Sequence, residues 1–267
     1  MSNVLEHTEA HVATITLNRP ERHNALNQAM IEHLRAALNQ AMNDNDVRAI
    51  ILTGTGSRAF CAGQDLVDTL EMQEIAARAI VDELQDITRL ILYGDKIVIG
   101  AVNGCAVGSG FELAMNCDLS IWSSTAGAFL PELALGLGAS GASTWLLPHL
   151  VGWHRANALF LLGEWQTAQA LHTIGLAHAV VSGEDLRDET FRLATRIADL
   201  PREAASALKR ARIAPHCAAI EDALWREAEN LVNRMTDPDT HRRMRCHSSA
   251  LSRRHHSSIS SHLRESL

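Results

Sequence analysis

Three short segments hold the residues that could do chemistry: FCAGQDL at 60–66, VNGCAVGSGFELA at 102–114 and FLPELALG at 129–136. The middle segment reads as a strand, a glycine-rich turn and the start of a helix. Glycines in such a turn let the backbone come close to a ligand. The first N–H groups of the helix have no partner inside it and carry the positive end of its dipole. Such groups suit an oxygen that becomes negative during a reaction. Glu112 follows Ser109 by about one helical turn, so it can project on the same side as that amide. Glu132 follows Pro131, a residue suited to the first position of another helix. Two carboxyls placed this way could work as a general acid–base pair. The same residues also fit a plainer role: glycine-rich turns pack tightly without a ligand, and a first-turn Glu complements the dipole.

The elements that must position these segments follow from periodicity. Residues 12–17 alternate, with Ala13, Ile15 and Leu17 on one face, which predicts a half-buried strand. Leu26, Met30, Leu34, Leu38 and Met42 recur every four residues and predict a helix. Short apolar runs at 49–52, 97–102, 119–122 and 179–181 read as strands, the first two buried. Helices are expected at about 68–92, 109–116, 153–162, 167–173, 184–200 and 218–235. In the last, Ile220, Leu224, Ala228, Leu231 and Met235 share one face. This order of short strands and helices predicts an α/β fold. No internal copy is visible in the sequence.

Composition bounds the function. The chain has 267 residues, 46% of them hydrophobic and 21% charged, which excludes disorder as the dominant state. Its net charge of -7 argues against nucleic-acid or anionic-membrane partners. The five cysteines show no tight spacing, so a reducing, cytoplasmic setting without disulfides is expected. Glu6, Glu9 and Arg19 precede any long apolar run, and no signal peptide is expected. The uncharged stretch 133–153 contains Gly136, Gly138, Gly141 and Pro148, which suits an interior segment and not a membrane span. Those three glycines match GxGxxG, but they follow a predicted helix start where a dinucleotide loop would follow a strand. There is no HExxH, no GxSxG and no phosphate-loop motif, and the chain has only two lysines, Lys96 and Lys209. No metal site is expected.

Together with NRPERHNALN at 18–27, the three segments resemble the crotonase family, the enoyl-CoA hydratase/isomerase superfamily, over about residues 4–235. The resemblance implies a spiral of repeated ββα turns in residues 1–200 that binds acyl-CoA. It also implies a C-terminal helical region at 201–236 that packs in homotrimers or dimers of trimers. It implies an oxyanion hole made by the backbone N–H groups of Ala62 and Ser109. Hydratases of the family carry both acids, and Glu112 and Glu132 match the two positions. The implied reaction is reversible addition of water to a 2-enoyl-CoA, with Glu132 as acid toward the α-carbon and Glu112 as the base that orients water. Coenzyme A would lie across Arg22, Ala25, Ala62, Gly63, Gln64, Asp65, Leu66 and Gly108, with Arg22 on a phosphate and Asp65 capping the loop. No cofactor is implied, because coenzyme A is part of the substrate. A carnitinyl-CoA-type dehydratase, an enoyl-CoA isomerase and an inactive acyl-CoA-binding member are the alternatives.

Two departures stand out. Where hydratases continue with a Pro-Gly-x-Gly-Gly turn, this chain has ASGAS at 139–143, which alters the wall beside the water. From residue 237 the chain turns to arginine, histidine and serine with almost no apolar periodicity, so 237–267 is expected to form a disordered tail.

Overall fold

The computed structural model describes residues 2–70 and 72–246. A six-stranded sheet contains β1 (Val4–Glu9), β2 (Val12–Leu17), β3 (Ala49–Gly54), β5 (Ile97–Val102), β7 (Leu119–Ser123) and β10 (Ala179–Val181), in that spatial order. Only β1 pairs antiparallel, with β2; the remaining pairs are parallel. A smaller sheet runs β4 (Ala59–Cys61), β6 (Cys105–Val107), β8 (Gly127–Phe129), β9 (Gln166–Thr167), with the first three strands parallel.

The inner strands of the large sheet are buried on both faces, which explains their near-continuous apolar runs. Ile15, Leu17, Ile50 and Leu52 face the main core, with α1 (Gln28–Asn43) and α3 (Glu74–Tyr93) packed on it. The alternate residues Val12, Ala49, Ile51, Ile99 and Ala101 meet Leu186, Ala194 and Ala198 of α9 (Leu186–Ala198). A one-residue slip in any strand would exchange the two sets.

The repeat hidden in the sequence is visible here. Three times the chain runs from a large-sheet strand to a short small-sheet strand and then into helix. These turns are β3–β4–α2 (Leu66–Thr69), β5–β6–α4 (Ser109–Asn116) and β7–β8–α5 (Glu132–Leu135). The fold is the crotonase-type ββα spiral with a helical C-terminal region. Each chemistry-bearing segment follows the short strand of its own turn, so adjacent parallel strands deliver all three to one end of the small sheet.

The structure departs from the sequence reading in several places. The helix expected at 68–92 is two, α2 and α3. Leu66, Leu70 and Met72 all pack on one cluster with Leu231 and Met235. One continuous helix could not turn positions i, i+4 and i+6 to the same side. A further helix, α10 (Arg202–Ile213), buries only Ser206 and Lys209 and so has no apolar stripe. Residues 238–246, placed by the sequence in the unpacked tail, are helical and packed. Met244 is 0% exposed beside Leu135, Leu137 and Val81, and the Thr240 hydroxyl donates to Gly136 O at 3.1 Å. The rest of that tail lies outside the described residues. Finally, β1 escaped notice because it is an edge strand whose buried residue is Val4.

Both lysines are buried staples. Lys209 Nζ donates to Ile91 O at 2.7 Å and Lys96 O at 2.8 Å, and pairs with Asp118 Oδ2 at 2.6 Å. Lys96 Nζ donates to the carbonyls of Ala41 and Asp44.

Candidate active site

The ends of β4, β6 and β8 open on a cavity of about 220 Å³ whose wall includes Ala62, Gln64, Leu66, Gly108, Ser109, Glu132, Leu137, Ser140 and Leu231. A larger hollow, about 460 Å³, lies between β1 and α9 on the far side of the large sheet and holds none of the predicted site residues.

Two backbone N–H groups on this wall are open. Ser109 is the first residue of α4, and its N–H is beyond the reach of the helix's own bonding pattern. Gln64 forms a parallel bridge with Leu26: Leu26 N donates to Gly63 O at 2.8 Å and Asp65 N donates to Leu26 O at 2.9 Å. This geometry turns the N–H of Gln64, the residue between them, away from Leu26. Neither N–H meets an acceptor among the described residues. Gly63, at φ +82°, makes the turn and brings the two segments close: a Cβ there would lie 3.6 Å from Ser109 N.

This corrects one expectation. The Ala62 N–H, read as an oxyanion donor, donates to His23 O at 3.0 Å and is already used. Ala62 remains on the cavity wall, and Gln64 supplies the open donor beside Ser109. The Gln64 side-chain Nε2 is also buried and has no partner among the described residues.

Asp65 is buried and holds the loop in place. Its Oδ1 accepts from Val67 N at 3.2 Å, capping α2, and its Oδ2 pairs with Arg19 Nη1 at 3.1 Å. The Leu26 bridge draws the 22–26 turn alongside the 62–65 loop, but Arg22 and Ala25 are not on the cavity wall. Arg22 is exposed on a 3-10 turn, Pro20–Arg22.

The two carboxyls sit in different settings. Glu132 lines the cavity at the first turn of α5. Burial, and then the charge of Glu112, push its pKa from 4.5 up to about 8. Glu112 is 3% exposed and lies behind the wall. Its Oε1 accepts from Ser140 N at 2.8 Å and Ser143 Oγ at 3.1 Å, and its Oε2 accepts from Ser140 Oγ. Burial raises the Glu112 pKa, and these donors oppose that by favouring the ionised form. Like charges so close cannot both persist in a buried site, so the pair holds one proton near neutrality.

A third buried acid supports the pair. Glu227 Oε2 accepts from Ala142 N at 2.8 Å, and its Oε1 accepts from Thr144 N at 2.8 Å and Thr144 Oγ1 at 2.6 Å. It thereby ties the start of α6 (Ser143–Val151) to α11 (Cys217–Met235). Burial, the largest cause, raises its pKa to about 7. Sequence reasoning missed Ser140, Ser143 and Glu227. Their signals were present: two hydroxyls at glycine positions of the hydratase turn, and a glutamate beside the apolar stripe of α11.

The GxGxxG match has no dinucleotide role in this geometry. Gly136 ends α5, Gly138 lines the cavity and Gly141 lies against Glu112. The Cys61 thiol is buried and pushed up to about 12, which leaves it inert as a nucleophile. Among the described residues, no group of three or more His, Cys, Asp or Glu could hold a metal, and no helix is long and apolar enough to cross a membrane.

Residues 7–246 match the family model of enoyl-CoA hydratase/isomerase. The chain belongs to this family. It is 37% identical to the 1,2-epoxyphenylacetyl-CoA isomerase of Escherichia coli over 79% of this chain and 82% of that protein. It is 36% identical to the short-chain-enoyl-CoA hydratase of Clostridium acetobutylicum over 74% and 76%. A crystal structure of an enoyl-CoA hydratase from Mycobacterium avium subsp. paratuberculosis superposes with TM-score 0.85 at 25% identity, over 94% of this chain and 97% of that one. Family members act as hydratases and isomerases, so the paired acids and open N–H groups are read as catalytic equipment.

Proposed function

We propose that this protein is an enoyl-CoA hydratase that adds water reversibly to a 2-enoyl-CoA thioester. The observation that carries the reading is the placement of two buried carboxyls, Glu132 on the cavity wall and Glu112 behind it, bonded to Ser140 and Ser143. Water attacks the β-carbon, and an enolate forms on the thioester oxygen. The Ser109 and Gln64 N–H groups receive that oxygen, a donor typically contributing ~10²–10³ in rate. Neutral Glu132 then protonates the α-carbon, and ionised Glu112 takes the proton lost by water. Each of these roles is worth ~10²–10⁴.

Leu66, Val107, Leu135, Leu137 and Leu231 make the cavity predominantly apolar, as an acyl chain requires. A substrate oxygen would also satisfy Gln64 Nε2. No further cofactor is needed, and the setting is read as cytoplasmic. Leu150, Trp153, Leu161, Leu162 and Trp165 lie exposed on and beside α7 (Trp153–Leu162), which supports self-association, read as a trimer or a pair of trimers.

The test is loss of the conjugated enoyl-thioester absorbance when the protein meets crotonyl-CoA or a longer 2-enoyl-CoA, run beside Glu132→Gln. Hydration by the wild type and its loss in the variant are expected. The likeness to the epoxyphenylacetyl-CoA isomerase favours a second reading, isomerisation, which the same assay separates by product mass: hydration adds one water.

A further inference from the structure

We propose that Ser140 is a catalytic residue: its hydroxyl binds the reacting water in the cavity and passes the water's proton to Glu112. The inference rests on the hydratase reading and goes beyond it, because the paired-acid scheme alone brings Glu112 directly onto the water.

In the structure Glu112 does not reach the cavity wall and is only 3% exposed. A carboxylate offers about four acceptor positions, and three are taken by Ser140 N, Ser140 Oγ and Ser143 Oγ. Ser140, by contrast, lines the cavity together with Glu132 and Ser109. Its hydroxyl has one proton, donated to Glu112, and retains lone pairs that can accept from a water. In this scheme Glu132 keeps its proton for the α-carbon. The base is therefore Glu112, and Ser140 connects it to the cavity.

The proton balance closes. An O–H bond of water breaks, and its proton goes to Ser140 Oγ while the Ser140 hydroxyl proton passes to Glu112 Oε2. The remaining hydroxide forms the C–O bond to the β-carbon, and the double-bond electrons move onto the thioester oxygen. The enolate collapses as Glu132 gives its proton to the α-carbon. Glu112 has gained one proton and Glu132 has lost one, and transfer between them resets the site. ASGAS therefore replaces the glycine turn with two hydroxyls that have work to do: Ser143 fixes Glu112, and Ser140 both fixes it and extends it into the cavity.

The test uses the full chain with Ser140→Ala, which keeps the backbone N–H on Glu112 and removes only the hydroxyl. On crotonyl-CoA or a longer 2-enoyl-CoA, kcat is expected to fall by ~10²–10³ while KM stays within about threefold. Ser140→Thr should recover most of the loss. A second readout is exchange of the α-protons of butyryl-CoA in deuterium oxide, followed by NMR. This exchange, run above pH 8 so that the Glu132 carboxylate can take the α-proton, needs Glu132 and the two N–H groups but no added water. Ser140→Ala should retain exchange at close to the wild-type rate, whereas Glu132→Gln loses it. If Ser140→Ala hydrates within about threefold of the wild type, the relay is wrong and the hydratase reading stands. If it loses hydration and exchange together, Ser140 is only structural and the relay is again overturned. If the wild type hydrates none of these thioesters, the hydratase reading itself fails and the relay with it.

Discussion

Gly108→Ala tests whether the position of Glu132, and not merely its presence, sets the rate. Gly108 precedes α4 at φ 52° and ψ -123°, a conformation that L side chains rarely adopt. A methyl group built there overlaps Glu132 Oε1, so the carboxyl must retreat by about 1 Å. The backbone strain costs about 1–3 kcal/mol of stability. With ~2–4 °C lost per kcal/mol for a chain of this size, the protein still folds at 25 °C. The rate is more sensitive: a displacement of about 1 Å at a reacting group costs ~10². The expected result is a drop of ~10² or more in kcat on an enoyl-CoA, with KM changed by less than about threefold. A double-mutant cycle with Glu132→Gln identifies the cause. If the methyl acts by moving Glu132, adding Gly108→Ala to Glu132→Gln costs little more than Glu132→Gln alone. Full multiplication of the two losses would refute the reasoning and assign the effect to the neighbouring Ser109 N–H. So would a single variant within twofold of the wild type.

Glu132→Gln should also stabilise the fold at neutral pH. The folded state raises this carboxyl from 4.5 to about 8, so its favourable contribution is complete below about 4.5 and declines as pH rises toward about 8. At pH 7 the loss, trimmed by cavity water, is about 1–3 kcal/mol. The Tm of the variant should exceed that of the wild type at pH 8 and match it near pH 4.5, and equal gaps at both would contradict the assignment. An amine-reactive N-hydroxysuccinimide ester should leave Lys96 and Lys209, 3% and 2% exposed, unmodified in the native protein and label both after denaturation, as read by mass spectrometry. Glu227→Ala strips the acceptor from Ala142 N and Thr144 N and should cost about 1–3 kcal/mol by thermal denaturation. Because it loosens the turn carrying Ser140 and Ser143, it should lower kcat as well, and a variant with wild-type Tm would remove Glu227 from this role.

Elements with an apolar stripe could be read from the chain; those held by other means could not. The run 97–102 and the helix 109–116 match the structure residue for residue, because burial on one or both faces writes itself into hydrophobic spacing. Helix α10 is held instead by the reach of Lys209 to Ile91 O, Lys96 O and Asp118, and polar anchoring leaves no periodic signal. Strands β4, β6, β8 and β9 span only two or three residues, too short for alternation to register. The threefold ββα repeat depends on those strands, and so it was invisible.

The candidate site shows the same division at finer grain. The three segments singled out in the sequence do converge: Gly63, Gln64, Gly108, Ser109 and Glu132 meet at the ends of three adjacent parallel strands. Spacing could not say which N–H in the CAGQDL loop is open, because that depends on a partner distant in sequence. The His23 carbonyl takes the Ala62 N–H, and the Leu26 bridge takes Asp65 N and Gly63 O, which leaves Gln64 N. Nor could spacing show that Glu112 lies behind the cavity wall. That placement is fixed by donors contributed by residues 140 and 143, whose turn is itself tied down by Glu227 from α11. A motif therefore fixes which backbone comes near the substrate. Hydrogen bonds from outside the motif decide which atoms remain free to face it, and in this chain they leave one of the two acids on the cavity wall and hold the other behind it.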